Sequence, residues 1–196
     1  MSELLLQSLE KKVHLTSQEF HQFADRLTVK SLKKKEHLLT ESEVDKHIAF
    51  VEQGVLRSYL INQEGEAVTV QFALEGYWIA DLYSFFSAKP AIYNIEALEK
   101  AKVLLLDQPS FQEACDTIPA FERFFRILVQ NAYVAAQERI AKSYSQRAEE
   151  RYIELMHTHP DILRRVSQHY IASYLGIKPQ SLSRIRKRMS TPGRFS

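Results

Sequence analysis

Between Leu32 and Asp107 the chain carries strand signals in close succession without intervening long helices. HIAFVEQG (47–54) and VLRSYLINQEGEAVTVQFALEG (55–76) are apolar, rich in β-branched and aromatic residues, and punctuated by Gly54, Gly65 and Gly76. NQEGEA (62–67) is the best hairpin turn among them. AIYNIEALE (91–99) and AKVLLLD (101–107) read as a second pair of strands, set apart by the aromatic stretch YWIADLYSFFSAKP (77–90). Parallel neighbours would need connections of roughly a dozen residues or more. Strands this closely spaced therefore pair antiparallel, as a roll or barrel.

Helical periodicity flanks this region on both sides. Residues 1–28 read as helical: Leu4, Leu5, Leu9 and Val13, then Phe20, Phe23, Ala24 and Leu27, recur at three- and four-residue steps around the capping-box pattern Thr16-Ser17-Gln18-Glu19. Residues 110–116 read as a short helix, and Pro119 opens a long one. Along it Phe121, Phe125, Leu128, Ala132, Ala136, Ile140 and Tyr144 form a stripe that Phe124, Val129 and Ala135 widen into two apolar flanks. One flank covers the helix's own domain. The second calls for another partner, either a copy of the same helix in a symmetric dimer or a second domain of the same chain. Ser145–Arg147 breaks the pattern, and AEERYIELMHTHPDILRRV (148–166) gives one more helix ending near Pro160.

Charge is unevenly spread. Residues 162–196 hold eight of the 26 Lys and Arg and none of the 24 Asp and Glu, so the net charge of +2 divides into −6 before residue 162 and +8 after it. Such a block marks a polyanion-binding surface or a solvated tail. Periodicity favours the first. In SQHYIASYLGIKPQSLSRIRKRM (167–189), Ser167 stands as N-cap, Ile171, Ala172 and Leu175 make a short amphipathic helix, and Gly176 stops it. Pro179 then opens a second helix, with Leu182 and Ile185 inward. A small residue in the first helix, a glycine in the turn and an apolar residue in the second let the pair cross closely, as a helix-turn-helix requires. Arg184 is suited to guanine and Gln180 to adenine, beside Pro179 at the helix start, while Lys178, Ser181, Lys187 and Arg188 are placed for phosphates.

Composition excludes several alternatives. The single cysteine, Cys115, rules out an intrachain disulfide framework and a four-cysteine metal site, and suits a reducing compartment, with the cytoplasm as the expected location. The N-terminal MSELLLQSLE does not resemble a signal peptide, and no apolar run approaches the roughly 18 residues of a spanning helix, so no membrane partner is expected. A β-roll enzyme of the cupin-like metal oxygenase kind would need inward His and carboxylate ligands. Of seven histidines only His37 and His47 lie near the strands, and His157 and His159 stand at a helix end before Pro160. No metal site, no required cofactor and no catalytic residue is expected.

In order and length these features resemble the cyclic AMP receptor protein and fumarate-nitrate regulator (CRP/FNR) family of bacterial transcription factors. The likeness runs from the N-terminal helix through FVEQGVLRSYLINQEGEAVTVQFALEGYWIADLYSFF and FERFFRILVQNAYVAAQERI to SQHYIASYLGIKPQSLSRIRKRM. IASYLGIKPQSLSRIRK and EGYWIADLYSFF look like a Bacteroidetes-type branch. The resemblance implies an α+β chain: a cyclic-nucleotide-binding-like antiparallel β-roll (double-stranded β-helix) with flanking helices as sensor over 1–118, a long dimerisation helix over 119–145, and a small helix-turn-helix domain over 146–196. It implies a homodimer on a palindromic operator in double-stranded DNA, with RNA polymerase as a further partner. Pro179, Gln180 and Arg184 fall where the family reads bases.

Three departures qualify the analogy. Cyclic-nucleotide binders in the family carry Gly-Glu-Leu followed by Arg-Ser or Arg-Thr, the Glu taking the ribose hydroxyl and the Arg the cyclic phosphate. Here Ala80-Asp81-Leu82 and Ala91-Ile92 stand in those places. A buried phosphate with neither a cation nor a nest of backbone donors is costly, so cyclic AMP in the usual manner is not expected. Ala80, Asp81, Leu82, Ile92, Tyr93 and Asn94 are the candidate pocket for an undefined effector, with a cyclic nucleotide held in a non-standard way as the alternative. Cys115 alone cannot supply the iron-sulfur branch's cluster. The terminal STPGRFS (190–196) is too short for the β-hairpin wing that follows the recognition helix in the family.

Overall fold

The structure, a computed structural model, describes residues 2–189. The terminal STPGRFS lies outside the described residues. The helical N-terminal stretch is two helices rather than one. Helix α1 (Glu3–Glu10) starts on Ser2, whose Oγ accepts the Leu5 N–H at 3.0 Å, and buries Leu5 and Leu9. Helix α2 (Ser17–Ala24) starts on the capping box: Thr16 Oγ1 accepts the Glu19 N–H at 3.2 Å and Glu19 Oε2 accepts the Thr16 N–H at 2.8 Å. The same motif that begins α2 keeps α1 from running on, because a cap residue needs extended rather than helical dihedrals.

Eight strands follow: β1 (Thr28–Leu32), β2 (His37–Leu39), β3 (His47–Gln53), β4 (Leu56–Ile61), β5 (Ala67–Ala73), β6 (Trp78–Ile79), β7 (Asn94–Ala97) and β8 (Ala101–Asp107). They form two four-stranded antiparallel sheets, ordered β1-β8-β3-β6 and β2-β7-β4-β5. This is the antiparallel roll expected from the strand spacing. Leu32, Val51, Leu56, Ile79, Ile95 and Val103 fill its interior. The outer face of the first sheet carries Ile48, Phe50, Trp78 and Leu104, covered by α1, α2 and the helices after β8. The β4–β5 hairpin turns at Asn62, whose Oδ1 accepts the N–H groups of Glu64 and Glu66 at 3.0 and 2.9 Å.

Two strand expectations change. Leu32 ends a strand instead of beginning one. AIYNIEALE is extended only over β7, because the Ala91 N–H donates to Glu43 O and those of Ile92 and Tyr93 donate to the Asp81 carboxylate. Backbone donors spent on a neighbouring loop and side chain cannot also build a ladder. The aromatic stretch before β7 holds the short helix α3 (Leu82–Ser87).

After β8 come α4 (Gln108–Thr117), α5 (Pro119–Ser145), α6 (Ala148–Thr158), α7 (Pro160–Arg165), α8 (Gln168–Tyr174) and α9 (Pro179–Met189). Residues 148–166 thus form two helices. Pro160 both ends the first and opens the second, since the missing N–H and fixed φ of proline suit a first helical turn. α6 to α9 share a core with Val55, Phe72 and Leu98 of the roll, so the C-terminal helices rest directly on the second sheet.

Gly54 sets the β3–β4 corner. Its φ is +96°, and a Cβ there would lie 2.7 Å from both the Lys100 carbonyl oxygen and the Ala101 Cβ. At Gly65 (φ +77°) a Cβ would meet nothing within 4 Å. Gly65→Ala should therefore cost about 1 kcal/mol from backbone strain alone, and Gly54→Ala clearly more, about 2 kcal/mol or above. Urea unfolding of both variants tests the difference, and equal losses would remove the steric role assigned to Gly54.

Candidate nucleic-acid interface and sensor pocket

Helices α8 and α9 cross at Ala172 and Leu182, both fully buried, with Ile171, Leu175 and Ile185 around them. The turn is a Schellman motif: the Gly176 N–H donates to Ser173 O at 3.1 Å and the Ile177 N–H to Ala172 O at 3.0 Å, with Gly176 at φ +67°. Ser167 takes extended cap dihedrals, but its side chain makes no capping hydrogen bond. The first turn of α9 is closed by Lys178 O, which accepts from the N–H groups of Ser181 and Leu182.

Pro179, Gln180 and Arg184 are all exposed on α9, as are Lys178, Lys187 and Arg188, while Ser181 is half-buried. The basic block is nevertheless partly committed. Arg188 pairs with Glu149 at 2.9 Å, Arg164 pairs with Asp161, and Arg165 bridges Glu75 and Glu99. Arg165 faces the roll, so its charge ties the helices to the sheet. Arg194 lies outside the described residues.

Charge counting gave no sign of how firmly α8 is seated. Its Ser173 Oγ accepts the Thr69 N–H at 2.9 Å and donates to Ala67 O at 2.7 Å, closing part of β5, the outermost strand of its sheet. Beside it Arg57 of β4 is buried at 5% exposure. Its Nε donates to Glu96 Oε1 at 2.6 Å and its Nη1 to Thr69 Oγ1 at 3.0 Å. The guanidinium lies between the rings of Tyr59 (4.1 Å) and Tyr170 of α8 (3.9 Å). The available sequence signals were an arginine inside one apolar strand and a glutamate inside another.

The six candidate pocket residues divide into two places. Asp81 is fully buried. Its Oδ1 accepts the Ser84 N–H at 3.0 Å, and its Oδ2 accepts those of Ile92 (2.8 Å) and Tyr93 (3.1 Å). The Asp81 N–H donates to Asp45 Oδ2 at 2.8 Å, and burial pushes the Asp45 carboxyl up to about 6. Asn94 is buried, accepting the Glu41 N–H at 2.9 Å, and Ile92 is 48% exposed. Three converging backbone donors are what an anion seeks, and the chain's own carboxylate already holds them. A cyclic phosphate does not fit here: it would displace or face a like charge, and no cationic side chain among the described residues joins the cluster. Ala80 and Leu82 instead border a separate apolar cavity under α5.

The expected dimer residues also divide. Phe121 and Phe125 lie in the chain's own core, Phe121 stacked on Phe23 and Phe125 edge-on to Phe111, each at 4.5 Å between ring centroids. They are therefore not available to a partner. Leu128 is half-buried, and Ala132, Ala136 and Ile140 are exposed, next to exposed Tyr133 and Tyr144. Near the roll, His37 Nε2 lies 2.8 Å from the Tyr59 hydroxyl. Among the described residues no group of three His, Cys, Asp or Glu is placed to hold a metal.

Residues 29–117 match the cyclic nucleotide-binding domain family. No curated protein matches the chain. FixK2 from Bradyrhizobium japonicum is similar in structure, with a TM-score of 0.71 and 21% identity over 83% of this chain and 84% of its own. The c-di-GMP responsive global regulator CLP of Xanthomonas campestris has a TM-score of 0.71 at 10% identity, covering 89% of this chain and 91% of its own. A crp/fnr family regulator from Eubacterium rectale has a TM-score of 0.68 at 14% identity, covering 93% and 88%. The chain shares the fold of these structures, with a cyclic nucleotide-binding-like roll ahead of its C-terminal helices. No helix among the described residues is long and apolar enough to cross a membrane.

Two outcomes test how the C-terminal helices are seated on the roll. Arg57→Ala leaves Glu96 buried without its cation and should destabilise by about 3–5 kcal/mol, whereas Arg57→Met with Glu96→Leu should recover most of that loss; urea unfolding of the single and double variants measures both. The Arg165 guanidinium holds the Glu75 carboxyl down from 4.5 to about 2. A depressed acid stabilises above its unfolded value, so this contribution is whole above pH 4.5 and is lost as pH falls from 4.5 towards 2. In Glu75→Gln the pH dependence of stability in that window should flatten, and an unchanged slope would rule the pair out as its source.

Proposed function

We propose that the protein is a homodimeric, sequence-specific DNA-binding transcription regulator of the CRP/FNR type, whose roll governs the placement of two recognition helices. The observation that carries this reading is the outer face of α9, where Gln180 and Arg184 are exposed on a helix whose inner face is locked by Leu182 and Ile185. A rigid mount with a polar, basic outer face suits the major groove: Arg184 bonds guanine O6 and N7, Gln180 bonds adenine, and Pro179 sets where the helix begins. Lys178, Ser181, Lys187 and Arg188 take phosphates, Arg188 exchanging Glu149 for the backbone at small cost because that pair is largely exposed. The exposed flank of α5 around Ala136 and Ile140 joins two copies, which places half-sites about one helical turn apart on a palindromic operator. RNA polymerase is the further partner of such a regulator, and the cytoplasm its place of action.

The effector is not a cyclic nucleotide bound through its phosphate, because Asp81 occupies the donors that would take it. Cyclic AMP should leave the melting temperature of the wild-type protein unchanged. A clear upward shift would favour the non-standard cyclic-nucleotide reading instead.

DNA selected from a random pool should yield a palindrome that the protein retards on a gel. Arg184→Ala should erase the preference between operator and scrambled DNA, by about 1–3 kcal/mol per half-site. Lys187→Ala should weaken all sequences alike and lower the salt slope by about one unit. Equal losses on all DNA in both variants would overturn the base-reading assignment.

A further inference from the structure

The cavity bordered by Ala80 and Leu82 is a second recess of the roll, apart from the Asp81 cluster. It measures about 410 Å³ and lies between α1, the β5–β6 edge and α5. Trp78, Ile79, Leu82, Leu128 and Ala132 give it apolar walls, and Lys12 and Gln71 are among its few polar groups. No acidic residue among the described ones lines it. The Lys12 ammonium has no hydrogen-bond or ion-pair partner among the described residues, so the site carries an uncompensated positive charge. Trp78 is only 9% exposed, and its indole Nε1–H is buried without an acceptor. A cavity with oily walls, one unpaired cation and an unmet donor is complementary to an apolar molecule that ends in an anion.

We propose that this cavity binds a small apolar carboxylate, its hydrocarbon or aromatic body against Trp78 and α5 and its carboxylate towards Lys12. The inference takes the sensor role of the roll as its premise and names the ligand class. The pocket is distinct from the buried Asp81 cluster, although Ala80 and Leu82 flank that residue in sequence. A second copy of the chain is a poorer occupant. Leu128, Ala132 and Ala135 turn one side of α5 to the cavity, while the exposed Tyr133, Ile140 and Tyr144 lie on another. A ligand wedged under Leu128 and Ala132 presses on the helix that leads to α6 and the reading module, which gives it a direct mechanical route to α9.

The chain's one tryptophan reports on the site. Sodium octanoate titrated into the full chain without DNA should change Trp78 emission saturably, and 1-octanol should bind more weakly. Lys12→Met should raise the octanoate dissociation constant about tenfold while leaving that of octanol within twofold. Ala80→Leu, which fills the cavity, should abolish the response to both with far-UV circular dichroism unchanged. The proposal falls if neither probe gives a saturable change, if octanol binds as tightly as octanoate, or if Lys12→Met and Ala80→Leu both leave the titration unaltered. It falls equally if emission follows protein concentration and ignores octanoate, which would assign the cavity to a second copy. Because no DNA is present, loss of the DNA-binding reading would leave these outcomes readable.

Discussion

The placement of the C-terminal helices depends on one buried cation. Arg57 satisfies Glu96 and Thr69 within its own sheet and offers its remaining face to Tyr170 of α8. Such a group is weak as net stabilisation, since both charges surrender their water, but it strongly resists any arrangement that leaves one of them alone. An apolar patch at this seam would tolerate sliding. A guanidinium held between two rings and two acceptors admits few poses, and Ser173 on the edge of β5 narrows them further. The orientation of α9 relative to the roll is thereby set by polar geometry, with the shared apolar core beneath it supplying adhesion.

The fold was readable where one local rule acted alone. Strand spacing required antiparallel pairing, Pro119 marked the long helix, and Gly176 with Pro179 marked the turn between α8 and α9. Errors arose where a side chain competed with the pattern. Asp81 took the donors that would have extended β7 back to Ala91, and Pro160 opened a helix where it was read only as an end. The width of the apolar stripe on α5 was a sound signal of two flanks, but periodicity does not say which flank belongs to which partner. Phe121 and Phe125 went to the intrachain core and Leu128 and Ala132 to the cavity, leaving Ala136 and Ile140 outside.

The candidate sites were legible in different degrees for the same reason. The candidate residues of α9 are neighbours in sequence, so Gln180 and Arg184 can be placed on one face by counting. The features of the roll join distant segments: Asp45 with Asp81, Asp81 with Ile92 and Tyr93, and Lys12 of the N-terminal region with Leu128 of α5. A matching family motif would have bridged those distances. The departure at Ala80-Asp81-Leu82 pointed away from the usual ligand, and in the folded chain the Asp81 carboxylate takes the N–H groups of Ile92 and Tyr93.

The clip between Ser173 and β5 has a bearing on how the protein survives in a crowded cell. An outermost strand with unpaired peptide groups is a template for sheet growth between molecules, and proteins keep such edges covered or interrupted. Here the cover on Thr69 N–H and Ala67 O is Ser173 of α8, one of the C-terminal helices. Any excursion that lifts these helices off the roll uncovers an adhesive edge, and a proteolytic cut ahead of α6 would leave the roll permanently open there. The contact that seats α8 is thus also the one that keeps this edge covered, so the two halves of the chain cannot separate without exposing it.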